Sequence, residues 1–166
     1  MSDKYMKELI KKFQRNFDLE YNKQMGGINF DFTGEFNQRS IKYMFLKAAE
    51  VYAFKSHEYV FYKSVDYKFG ALDISKIKSL IDENVNAIIK MDAEHMASVI
   101  TFIFSSTESP DLETQEAIKK FKYYKSFLFG FKGWVNVKLI FINSNTNKVI
   151  TNKFARANEK FFQQTS

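Results

Sequence analysis

Five side chains hold most of the acid–base and metal-binding chemistry this sequence could offer. Asp31 and Asp66 stand in or beside alternating, strand-like stretches, and Asp66-Tyr67-Lys68 has an Asp-x-Lys spacing. Carboxylates so placed can hold a divalent cation while a lysine offsets charge on a phosphoryl group. Glu94 and His95, in Asp92-Ala-Glu-His-Met, could add a ligand or an acid–base group. Together they would make a metal-dependent, nuclease-like hydrolase acting on a phosphate-bearing substrate. The pattern has little specificity. Asp-x-Lys recurs by chance in a lysine-rich chain, and Glu94 and His95 read equally well as a polar loop ahead of a strand. The other histidine, His57, falls in an expected hairpin turn far away in sequence. There is no His-Glu-x-x-His pattern, no glycine-rich phosphate or dinucleotide loop, and no Gly-x-Ser-x-Gly elbow. No catalytic residue, metal or cofactor is therefore assigned, and the reading leans away from an enzyme.

A second set of residues has binding chemistry. The stretch from Phe121 to Lys153 holds the only Trp, a dense run of aromatics and a row of lysines. Tyr123, Tyr124 and Trp134, with Lys120, Lys122, Lys125, Lys132 and Lys138, have the ingredients of a single-stranded nucleic-acid surface. Aromatic faces stack bases there and ammonium groups follow phosphates. Alternating Phe in a strand is ordinarily core, however, and interleaved Lys is ordinarily its solvated face. That leaves Tyr123, Tyr124, Lys125, Lys132 and Trp134 as the binding candidates. Tyr62 and Tyr67 join them as surface aromatics that could anchor a protein partner or a second copy of the chain.

Charge and composition narrow the classes. The 166 residues carry a formal net charge of +6, and the charge is segregated: +3 over 1–70, −5 over 71–113 and +8 over 114–166. Lys, Asn, Ile, Phe and Tyr are abundant and all have A/T-rich codons, so genome composition alone could produce the basic balance, with a selected polyanion-binding role as the alternative. With no cysteine, disulfides, thiolate chemistry and cysteine-based zinc sites are excluded, and a reducing compartment fits. The first residues lack the apolar core of a signal peptide. No apolar run approaches the roughly 18–20 residues of a membrane span. The expectation is a soluble, cytoplasmic protein with no membrane contact.

The elements that must position these groups follow from periodicity. Met6, Leu9, Ile10, Phe13 and Phe17 recur at helical spacing, which predicts a helix over 3–18. Residues 28–65 read as a four-stranded antiparallel meander, with Phe30 and Phe32 on one face and a bend or bulge at Gly34. A helix over 42–54 is the alternative for its middle. Lys55-Ser-His-Glu58 is its last hairpin turn. Asp73 caps a helix whose stripe is Ile74, Ile77, Leu80, Ile81, Val85, Ile88 and Ile89, with Leu72 and Ile77 as a hydrophobic staple.

Met96 to Phe104 is apolar on both faces and reads as a central strand. Ser109 caps the next helix, with Leu112, Ala117, Ile118 and Phe121 buried. Strands over 122–131, with Phe127, Phe129 and Phe131 on one face, over 135–142 and over 148–151 follow. A last helix, capped by Asn152, buries Phe154, Ala157 and Phe161, and 163–166 fray.

The outcome is one α+β domain over 1–166. It has a mostly antiparallel sheet of two meanders, about eight strands, and about four helices, in the order α-ββββ-α-β-α-βββ-α, with the helices on one face. A βαβ crossover joins the central strand to the strand over 122–131.

Glu94-His95-Met96-x-Ser98, then Lys125-Ser126-Phe127-x-x-Gly130-Phe131-Lys132-Gly133-Trp134, then Asn147-Lys-Val-Ile-Thr-Asn-Lys153, resemble a family of small uncharacterised bacterial proteins from low-GC Gram-positive organisms. The resemblance runs over most of the chain. It implies a domain of unknown function, and it transfers no activity and no catalytic residue. The expected function is a binding or protein-interaction module. The hydrolase and the nucleic-acid binder are the alternatives.

Overall fold

The computed structural model describes residues 2–36, 56–89, 97–127, 129 and 133–164. The chain starts with helix α1 (Ser2–Phe13), followed by strands β1 (Phe17–Met25), β2 (Ile28–Phe36) and β3 (Ser56–Ser64). Helix α2 (Ala71–Ile88), strand β4 (Ala97–Ser106) and helix α3 (Leu112–Lys120) come next. Strands β5 (Tyr124–Ser126), β6 (Trp134–Asn143) and β7 (Lys148–Thr151), a 3₁₀ turn over Lys153–Asn158 and helix α4 (Glu159–Phe162) complete it.

The fold is α+β, with four α-helices and a seven-stranded, mostly antiparallel sheet among the described residues. The sheet order is β1-β2-β3-β4-β6-β5, and β7 also pairs with β6. The inner pairs β3–β4 and β4–β6 are parallel, and all the others are antiparallel. The crossover from the central strand therefore reaches β6, not the strand after α3, and a second crossover runs from β3 through α2 to β4. The outer edge of β6 is shared. β5 takes its first three residues and β7 its last four, so the expected second meander is two hairpins laid end to end.

Helices cover both faces of the sheet, not one. Phe61, Phe102, Leu139 and Phe141 meet α2 and α3 through Ile77, Leu80, Ile81, Val85 and Ile118. On the reverse face, Val60, Tyr62, Ile103, Ile140 and Ile142 meet α1 and α4 through Tyr5, Leu9, Phe13 and Phe162. The apolar character of β4 on both faces follows from this burial.

Several local expectations change, each for an identifiable reason. Phe17 belongs to β1 and not to the first helix. Its spacing of four from Phe13 imitates a helix, and the two rings do touch, with centroids 5.1 Å apart. Gly26 (φ 55°) and Gly27 (φ 74°) then make the two-residue turn that joins β1 to β2, where only left-handed residues match the strand twist. Phe30 and Phe32 fall on opposite faces. The ladder skips the pair opposite Asn22, whose φ of 54° interrupts the alternation. Gly34 holds regular register without a bulge, and it is glycine for lack of space: a Cβ there would lie 2.7 Å from the Leu19 side chain and 2.9 Å from that of Val60.

The strand segments within 37–55, Lys55 included, lie outside the described residues. Ser56, His57 and Glu58 are strand, not turn, and His57 is buried.

Helix caps shift as well. Gly70 caps α2, and Asp73 sits three residues in, accepting from the Gly70 N–H at 2.9 Å; Leu72 is exposed and forms no staple. Asp111 caps α3 by accepting from the Thr114 N–H at 2.8 Å, while Ser109 Oγ accepts from Asn143 and Leu112 is exposed. Asn152 precedes the last helical segment without a side-chain cap bond. The 3₁₀ turn over Lys153–Asn158 buries Ala155 and α4 buries Phe162, leaving Phe154, Ala157 and Phe161 exposed. Phe129, expected in the core, is 99% exposed at φ 54°. Gln164 exchanges hydrogen bonds with Asn147, its N–H donating to Oδ1 at 2.7 Å.

Candidate functional site

The acidic candidates are placed as follows. Asp31 lies on β2 and its Oδ2 accepts from the Ser64 N–H at 2.6 Å, which joins it to the end of β3. Asp66 and Lys68 are exposed on the following loop, and Lys68 stands 3.9 Å from Asp111. Glu94 and His95 lie outside the described residues. Among the described residues, no group of three His, Asp or Glu side chains is placed to hold a metal ion.

The binding candidates divide between the two faces of the sheet. Directly opposed residues of an antiparallel pair project to the same side. Lys125 opposes Val135, so it lies on the α2 side, where its Nζ sits 5.5 Å from the Phe127 ring centroid. Tyr123 packs on that side too. Burial first, and then hydrogen bonding and charge repulsion from Asp82, push its hydroxyl above the usual phenol range. Tyr124 opposes Asn136 and Ser126 opposes Trp134, so Tyr124 and Trp134 are diagonal neighbours on the reverse face. Tyr124 is 55% exposed and Trp134 is half-buried. Lys132 lies outside the described residues. Tyr62, expected at the surface, is fully buried, and Tyr67 is exposed.

Sequence reasoning missed Asn136. It sits between Trp134 and Lys138 on β6 and shares their face, and its Oδ1 is buried with no donor among the described residues. A polar residue on an alternating strand reads as solvated. Only the pairing with β4 on one side and β5 on the other encloses it.

It also missed the polar edge where the parallel strands end. Ser105, Ser106, Asn143 and Ser144 are buried there and bond one another's loops. Tyr62 OH and Ser105 Oγ are 2.6 Å apart, and Ser106 Oγ donates to Tyr67 O at 3.1 Å. Asn143 Oδ1 accepts from the N–H groups of Asn145 and Thr146. Ligands of open α/β sheets bind where successive crossovers leave on opposite faces. Here α2 and α3 cover the same face, and among the described residues the polar groups bond to each other.

Burial raises Tyr62 to about 12, with the Ser105 hydrogen bond opposing it, and raises Tyr5 still further. The unfolded phenols ionise near 10 while the folded ones stay protonated. The stabilisation is complete below about pH 10 and is lost as pH rises through the folded values. Circular dichroism against pH should show unfolding beginning above pH 10. Tyr62→Phe should flatten that dependence; an unchanged slope would contradict the assignment.

An α+β domain with a sheet buried on both faces, and an aromatic patch at one edge strand, is the class these features define. Residues 1–164 match the model of a family described as a domain of unknown function, DUF8052, and the chain belongs to that family. No curated protein and no solved structure matches the chain.

Proposed function

We propose that this protein is a cytoplasmic bacterial binding module that engages a protein partner at the β5–β6 edge. The observation behind this reading is that Tyr124, exposed, and Trp134, half-buried, are diagonal neighbours on one sheet face at the edge strand β5. Tyr and Trp are the side chains that most often anchor interfaces. The lack of cysteine and the A/T-biased composition support the cytoplasm and a bacterial origin of the low-GC kind.

Panning a random peptide library on the intact protein tests this. Selected peptides should change Trp134 fluorescence, and Trp134→Ala and Tyr124→Ala should each weaken them by about 30-fold or more, the loss of a hot spot. Peptides that bind both variants like wild type would overturn it. So would tight binding of single-stranded RNA or DNA that falls steeply with salt, which would replace the protein partner with a nucleic acid. Light scattering on the free protein shows whether the partner is a second copy.

A further inference from the structure

A cavity of about 180 Å³ opens on the reverse face of the sheet, between the end of α1, α4 and the middle strands. Its walls differ in chemistry. Phe13, Phe17 and Phe161 form one side, Phe13 lying edge-on to both others at 5.1 and 5.4 Å between centroids. The sheet floor supplies Thr101, Lys138 and Glu58. Thr101 pairs directly with Lys138 on β6 and with Val60 on β3, which puts Glu58 one pleat further along β3 on the same face. The Lys138 ammonium donates to Asn158 Oδ1 at 2.9 Å. That bond turns the carboxamide so that its NH₂ remains a donor, beside the other N–H groups of the ammonium.

We propose that this cavity binds a small apolar amino acid, or a zwitterion of the same design. Its carboxylate meets Lys138, Asn158 and Thr101, its ammonium meets Glu58, and its side chain lies among Phe13, Phe17 and Phe161. Three arguments select this class. The volume is below the roughly 300–1,000 Å³ of pockets for drug-sized ligands, which restricts the occupant to amino-acid size. A cation and an anion on one floor exclude a simple anion or amine as the best fit, since either would leave one charge facing its like or facing nothing. The aromatic wall adds an apolar requirement that glycine or a polar amino acid would not meet.

Isothermal titration of the full chain with leucine and phenylalanine, alongside 3-phenylpropionate and phenethylamine, separates these terms. Either amino acid should bind more tightly than both single-charge analogues. Lys138→Met should weaken the amino acid and phenylpropionate by about tenfold or more while sparing phenethylamine, as expected when one charge-assisted hydrogen bond is lost. Glu58→Gln should do the reverse. Phe161→Ala, at a partly exposed position, keeps the test open if a floor variant does not fold, and should weaken phenylalanine most. No binding by any apolar amino acid at millimolar concentration overturns the proposal, as does equal weakening of both analogues by Lys138→Met. The outcome is independent of peptide binding at the β5–β6 edge.

Discussion

Asn152→Ala is expected to lower the unfolding free energy by about 3–5 kcal/mol, one of the two largest effects of a single substitution in this chain. Asn152 is completely buried and fills the gap on the outer edge of β6 between β5 and β7. Its Oδ1 accepts from the Leu139 N–H at 3.1 Å, and its Nδ2 donates to Val137 O at 2.9 Å and to Phe121 O at 3.2 Å. The side chain thus acts as a missing piece of strand. Alanine would leave one N–H and two carbonyls without these partners, each costing about 1–3 kcal/mol where water cannot reach. Denaturation in urea followed by circular dichroism reads the loss. Asn152→Asp should be no better, because it keeps the acceptor but removes the donor and buries a charge. A loss below about 1 kcal/mol for Asn152→Ala would show that water replaces the amide, and would remove the strand-bridging role.

The second large effect is expected at Phe102, on the central strand. Its ring is fully buried, stacked on Phe61 at 5.1 Å and 21°, and lies 6.1 Å from Phe30. These three rings join β2, β3 and β4 into one surface beneath α2. Phe102→Ala removes a whole ring where the neighbours are themselves rigid aromatics, so the site collapses poorly. A cost of about 3–5 kcal/mol follows. Phe102→Leu should recover more than half of it. If the alanine variant melts within a few degrees of wild type, this stack does not organise the core.

Much of the fold is legible in the residues. The stripe from Ile74 to Ile89, the doubly apolar run before Ser105 and the alternation from Val135 to Phe141 each have one period and one reading. All three emerge as the expected element. Errors concentrate where two periods coincide. Phe17 fits a helix register from Phe13 and a strand register with Leu19 and Tyr21, and only pairing with β2 decides between them. Phe154 and Phe161 fit an α-helical stripe that a 3₁₀ turn rotates away from the core. Phe127 and Phe129 alternate like strand residues, yet β5 stops at Ser126, and Phe129 turns to solvent.

The candidate site was half legible. Tyr124 and Trp134 were visible as residue types, and the lysines around them as charge. Which of them act together was not. Faces in a sheet depend on register between strands distant in sequence, and register is set by long-range packing. The pairing of β5 with β6 separates Tyr124 from Tyr123 and Lys125 and brings in Asn136. The cavity beside Lys138 joins residues from both ends of the chain, Phe13 and Phe161, that no local pattern connects.

By itself, the sequence determined the α+β class, the helical stripe, the central strand, the absence of thiol chemistry and the family. All of these rest on composition, on residue identity along the chain, or on periods within a single element. Tertiary structure alone decided that helices cover both faces of the sheet and that β5 and β7 share one edge of β6. It also decided which aromatics meet solvent and which polar atoms are enclosed. Those outcomes depend on contacts between segments up to the full length of the chain apart, as in the bond from the Tyr5 hydroxyl to Phe162 O at 2.7 Å.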